Sequence, residues 1–195
     1  GRQALGRDPL VLGRETSYIG VLIDDLVARG VDEPYRLFTS RSEFRLTVRQ
    51  DNALRRLSPI AESLGLYDEA ERQIVGSRLA NEDRALMLAR ESSILPEQAN
   101  DLLQMKASSP IPHSVKLIEL ARRPELGLAD LFACVGVESA SRDAVLTAEL
   151  EIKYAGYFDR ERLQADKLKR LGDFRLSPDI PYGDFASLSF EARQK

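Results

Sequence analysis

The stretch VLTAELEIKYAGYFDRERLQADKLKRL, residues 145–171, decides the fold class. It holds no proline, its one glycine is Gly156, and the helical pattern it belongs to runs from about Ser139 to Leu171. Val145, Leu146, Leu150, Ile152, Tyr154, Tyr157, Phe158, Leu163, Leu168 and Leu171 recur at helical spacing but spread over more than one stripe, which predicts a long helix packed against two neighbours. Lys153, Tyr154 and Tyr157 form a basic and aromatic cluster at its middle. Glu161, Lys167, Lys169 and Arg170 read as surface charge.

Working outward, the same periodicity recurs in short pieces. Thr16 or Ser17 caps a helix reaching Ala28, with Ile19, Leu22, Ile23 and Leu26 on its apolar stripe and Asp24 and Asp25 turned away. Ser58-Pro59 starts a short helix that Gly65 ends. Asp68 opens a charged amphipathic rod to about Ser92 with apolar positions Ile74, Leu79, Leu86 and Leu88. Pro96 begins a helix carrying Ala99, Leu102, Leu103 and Met105, and the SSPIP run, residues 108–112, reads as a linker. Helices are also expected over Ser114–Arg122 and Leu128–Val135. Beyond the long helix, proline and glycine punctuate Ser177–Gly183, and Ser187 or Ser189 caps a last helix from Phe190. The expected fold class is mainly α, a multi-helix accessory domain with a small strand-containing segment near its N-terminus.

That segment is PYRLFTSRSEFRLTVRQDN, residues 34–52. Strict alternation from Glu43 to Arg49 predicts a strand with Phe44, Leu46 and Val48 on one face and Glu43, Arg45, Thr47 and Arg49 on the other. Six arginines (36, 41, 45, 49, 55, 56) face only Glu43 and Asp51 between positions 36 and 56, a local +4 in a chain whose formal charge is −3. Arginine's planar fork of donors matches phosphate, so Arg36, Arg41, Arg45 and Arg49 are candidate nucleic-acid contacts. Two readings stay open: a phosphate-binding face, or a solvated strand whose arginines pair with acids such as Asp24 and Asp25.

At 195 residues and 43% hydrophobic content the chain is long enough for one full core or two small ones. Its longest apolar run, Val21–Val27, is interrupted by Asp24 and Asp25, which excludes a membrane span there. Cys134 is the single cysteine and His113 the single histidine, so neither an internal disulfide nor a zinc cluster is expected. Cys134 sits among apolar residues and reads as a small core hydrophobe. No glycine-rich nucleotide loop, paired histidines or nucleophile motif occurs, and no catalytic residue is assigned.

The blocks YIGVLIDDLV (18–27), EPYRLFTSRSEFRLTVRQDNA (33–53), EIKYAGYFDR (151–160) and LSFEARQK (188–195) resemble the C-terminal part of the GidA/MnmG family of tRNA uridine 5-carboxymethylaminomethyl modification enzymes. The resemblance implies a C-terminal part of a longer flavoprotein, with residues 1–57 packing on an upstream FAD-binding domain and 58–195 forming a helical domain incomplete at its end. It implies FAD and NADH bound outside this chain, and modification of the wobble uridine together with an MnmE-type GTPase and a folate one-carbon donor. The expected partners are tRNA, that GTPase and a second copy in the full-length homodimer, with a cytoplasmic location and no membrane. Under the alternative reading the chain is a stand-alone helical protein-interaction module without enzymatic activity.

Overall fold

The computed structural model describes residues 2–28, 30, 32–138, 141–172, 177, 180 and 185. The helix expected from Phe190 and the turn expected over Ser177–Gly183 lie outside those residues, wholly or in large part.

Seven α-helices and one two-stranded sheet occur among the described residues: α1 (Tyr18–Ala28), α2 (Ala53–Ser63), α3 (Glu69–Glu91), β1 (Ser93–Ile94), α4 (Pro96–Met105), β2 (Val115–Lys116), α5 (Leu117–Ala121), α6 (Leu128–Cys134) and α7 (Arg142–Gly172). The mainly α expectation holds, but the strands do not lie where alternation placed one. β1 and β2 pair antiparallel, Ser93 opposite Lys116 and Ile94 opposite Val115. The helix expected from Ser114 therefore begins as a strand, and only from Leu117 does it turn helical.

The core is assembled between residues 85 and 152. Ile94, Leu103, Leu117, Leu126, Leu128 and Leu131 are fully buried, joined by Phe132, Val145, Ala148 and Ile152. The α3 rod presents Ala85 and Ala89 to this core, whereas Ile74 is exposed. Alanines leave room for close approach, which is how α3 lies along α7. Asp68 opens α3 with a full capping box: its carboxylate accepts from the Glu71 amide at 2.8 Å, and the Glu71 side chain accepts from the Asp68 amide at 3.0 Å. Each satisfies a donor that the first helical turn leaves free.

The SSPIP run is pinned rather than a free linker. Ile111 is buried, and its amide donates to Asn100 Oδ1 at 3.0 Å, while Arg123 donates to the Ser108 hydroxyl at 3.0 Å. Helix α2 begins at Ala53, earlier than Ser58-Pro59 suggested, and carries Pro59 inside it. Pro59 faces solvent, so water can serve the carbonyl that its missing N–H leaves unbonded. The boundary expected after residue 57 falls within this continuous helix.

Helix α1 reverses the expected orientation. Ser17 caps it as predicted, accepting from the Gly20 amide at 3.1 Å, but the buried positions are Gly20, Val21 and Asp25. Ile19, Ile23, Leu26 and Val27 are exposed. Gly20 has a steric reason: a Cβ there would collide with the carbonyls of Leu12 and Gly13. Hydrophobic spacing identified the helix correctly. It could not say that a buried ion pair would outrank the apolar stripe for the inner face.

Candidate nucleic-acid interface

Residues 43–49 form a turn, not a strand. The Val48 amide donates to the Phe44 carbonyl at 2.8 Å, one helical step, so Phe44 and Val48 are buried together while Leu46 is 41% exposed. Four-residue spacing has replaced two-residue spacing, and the parity argument that put Arg45 and Arg49 on one face fails. The structure separates the two. Arg45 is exposed, whereas Arg49 turns inward toward α7.

Arg49 is a strut. Its guanidinium pairs with Asp51 at 3.0 Å and Glu151 at 2.9 Å, donates to the Leu46 carbonyl at 2.6 Å, and lies 4.2 Å above the Phe158 ring. Burial pushes its pKa down, but the bonds to Asp51 and Glu151 outweigh that and leave it raised. A guanidinium with two carboxylates and a ring face has little left for a phosphate.

Arg41 is intermediate. It sits 4.8 Å over the Tyr35 ring and 3.7 Å from Asp25, yet 41% of its side chain is open to solvent. Arg36 is exposed, and neither it nor Arg45 pairs with a carboxylate among the described residues. Of the four candidates, Arg36, Arg41 and Arg45 are therefore presented outward.

The anchor for this segment is Arg14, which sequence reasoning missed. Its guanidinium contacts Asp25 at 2.7 Å, Asp24 at 2.9 Å and Glu43 at 2.8 Å, and donates to the Arg41 carbonyl at 3.0 Å. The hydrogen bond to Glu43 is the largest influence raising its pKa; burial opposes it, and Asp25 and Asp24 add to the rise. Asp25, expected to face away, is 2% exposed and also accepts from the Tyr35 hydroxyl at 2.7 Å. Burial, then that bond, raises the Tyr35 pKa. Asp25 does meet Arg41, one of the arginines considered for it, but Arg14 is nearer. Nothing periodic marks Arg14, because its partners come from two other stretches of chain, α1 and residues 41–43.

Glu161 was read as surface charge and is instead buried. Its carboxylate accepts from the Leu46 amide at 3.2 Å and the Thr47 amide at 2.5 Å, across more than a hundred residues. Between this segment, α3 and α7 lies a cleft of about 430 Å³ lined by Arg49, Arg55, Arg56 and Arg162 and by Glu15, Glu82, Glu151 and Asp166. Its charges cancel. Arg55 pairs with Glu82 at 2.9 Å and Asp83 at 2.8 Å, and Arg162 with Asp159 at 3.1 Å. Arg56 donates to the carbonyls of Thr16 and Arg49, and burial together with the Arg49 charge lowers its pKa.

Cys134 is half-buried, its thiol pushed up by burial and by Asp130, which suits a packing residue. No group of three potential metal ligands occurs among the described residues. No described helix is long and apolar enough to cross a membrane.

Fold and segment together define a helical accessory domain with an arginine-bearing loop pinned to its long helix. A family model described as the tRNA modifying enzyme MnmG/GidA C-terminal helical domain matches residues 69–162, which enclose the core. Over 195 residues the chain is 38% identical to the tRNA uridine 5-carboxymethylaminomethyl modification enzyme MnmG of Flavobacterium psychrophilum, covering 97% of this chain and 31% of that protein. The MnmG of Porphyromonas gingivalis is 40% identical over 199 residues, covering 97% and 32%. A solved structure of Aquifex aeolicus GidA superposes with a TM-score of 0.70 at 34% identity, covering 98% of this chain and 30% of that one. The chain belongs to the MnmG/GidA family and corresponds to its C-terminal helical region. It spans about a third of the length of these relatives.

Proposed function

We propose that this chain is the tRNA- and partner-binding helical part of a flavin-dependent enzyme that, with an MnmE-type GTPase, adds a carboxymethylaminomethyl-type group to carbon 5 of the wobble uridine. FAD and NADH are handled outside these residues. The observation that carries the reading is the match, along nearly all of the chain, to proteins named as tRNA uridine modification enzymes. Outward presentation of Arg36, Arg41 and Arg45 on a pinned segment supports phosphate contact. Arg49 serves the same interface from behind, by holding the segment to α7.

Two further surfaces take their roles from exposed apolar side chains. The α1 stripe of Ile19, Ile23 and Leu26 packs on the FAD-binding domain, and the exposed apolar side chains of α7, Tyr154, Tyr157, Leu163 and Leu168, serve the GTPase or a second copy. Replacing Arg36, Arg41 and Arg45 together with Ala tests the central claim. Expected is weaker tRNA binding, with the dependence of log affinity on log salt reduced by up to about three units. Unchanged affinity and slope in a folded triple variant would refute the arginine interface.

A further inference from the structure

Helix α7 carries three groups on one face that all reach the arginine segment: Glu151, Phe158 two turns later, and Glu161 three residues beyond that. Glu151 and Phe158 hold Arg49 at the end of the segment. Glu161 holds its middle, and does so through the backbone alone. The amides of Leu46 and Thr47 belong to the first helical step between Phe44 and Val48, where N–H groups have no partner within the turn. Both are satisfied by one buried carboxylate.

The Leu46 amide is part of the peptide plane that joins Arg45 to Leu46. A carboxylate holding that plane and the next fixes the backbone on the C-terminal side of Arg45, while the Arg45 side chain stays exposed. We infer that Glu161 is a positioning residue for the arginine interface, presetting the backbone at Arg45 so that its guanidinium meets a nucleic-acid phosphate without first ordering the turn. Glu161 touches no ligand itself. This inference rests on the reading of Arg45 as a phosphate contact.

The test is a double-variant cycle on the full chain, with bulk tRNA as the probe and anisotropy titrations from 50 to 200 mM salt. Arg45→Ala is expected to lower the salt slope by about one unit, about a 3.5-fold difference in affinity change over that fourfold rise in salt. Glu161→Ala is expected to give a similar loss, and the double variant no more than either single one. Glu161→Gln keeps one carbonyl oxygen for the two amides and is expected to fall between. A purely structural Glu161 behaves differently: it lowers the melting temperature, and its effect on binding adds to that of Arg45→Ala. Additivity, or unaltered binding in Glu161→Ala while Arg45→Ala weakens it, overturns the inference. If Arg45→Ala itself changes nothing, the arginine interface fails first and this inference with it. Should Glu161→Ala not fold, the same cycle run with Glu161→Gln decides.

Discussion

Replacing Arg14 with Ala should be a costly change in the N-terminal third of the chain. Asp25 is 2% exposed and would lose the guanidinium now 2.7 Å away, keeping among its partners the Tyr35 hydroxyl at 2.7 Å and the half-open Arg41 at 3.7 Å. Stripping one partner from a buried ion pair costs about 3 to 5 kcal/mol, and the surviving partners place this case at the lower end, about 3 kcal/mol. The bonds to Asp24 and Glu43, whose side chains are 54% and 43% exposed, add at most about 1 kcal/mol together after screening. For a chain of this length about 3 kcal/mol corresponds to a fall of about 6 to 12 °C in melting temperature. Urea denaturation followed by circular dichroism measures it. Asp25→Asn placed in the Arg14→Ala background removes the stranded charge and should recover about half of the loss. A loss below about 1 kcal/mol, or no recovery with Asp25→Asn, would show that Arg14 does not compensate a buried charge.

Four shorter expectations follow from the same contacts. Arg45→Ala should leave stability within about 0.5 kcal/mol, as exposed substitutions do, whereas Arg49→Ala should cost about 2 kcal/mol by freeing Glu151 and baring Phe158; equal melting temperatures for the two would contradict their assignment as contact and strut. Leu131→Ala, at a fully buried position of α6, should cost about 3 kcal/mol in urea midpoint analysis. The Ser42 hydroxyl is buried with no hydrogen-bond partner among the described residues, so Ser42→Ala should be neutral or stabilising by up to about 1 kcal/mol, and a clear loss would reveal a bond to it. Burial raises the Glu43 carboxyl, but the Arg14 hydrogen bond, a backbone hydrogen bond and the Arg14 charge together outweigh it and hold the pKa below its usual 4.5; the stability this contributes is present above that value and is lost as pH falls through the lower folded value. Acid titration of the wild type against Arg14→Ala should show that difference between the curves shrinking as Glu43 protonates.

Local sequence determined the helices. The 145–171 pattern gave α7, Asp68 with Glu71 gave the start of α3, Pro96 gave α4, and Ser17 gave the cap of α1, because caps and 3.6-residue spacing act over a few positions along the chain. The arginine excess of residues 36–56 was equally plain in the sequence, and so were the blocks that carry the family resemblance. Sequence alone misread 43–49, since a short alternating run suits a strand or a turn, and the choice fell to Glu161, 114 residues away, which caps the turn. It also inverted α1, where the Arg14–Asp25 pair and the close approach at Gly20 outweighed the apolar stripe. Which arginines face outward was likewise a tertiary decision. Arg45 and Arg49 are alike in type and local setting, and only the arrival of Glu151 and Phe158 on α7 makes one a strut and leaves the other exposed.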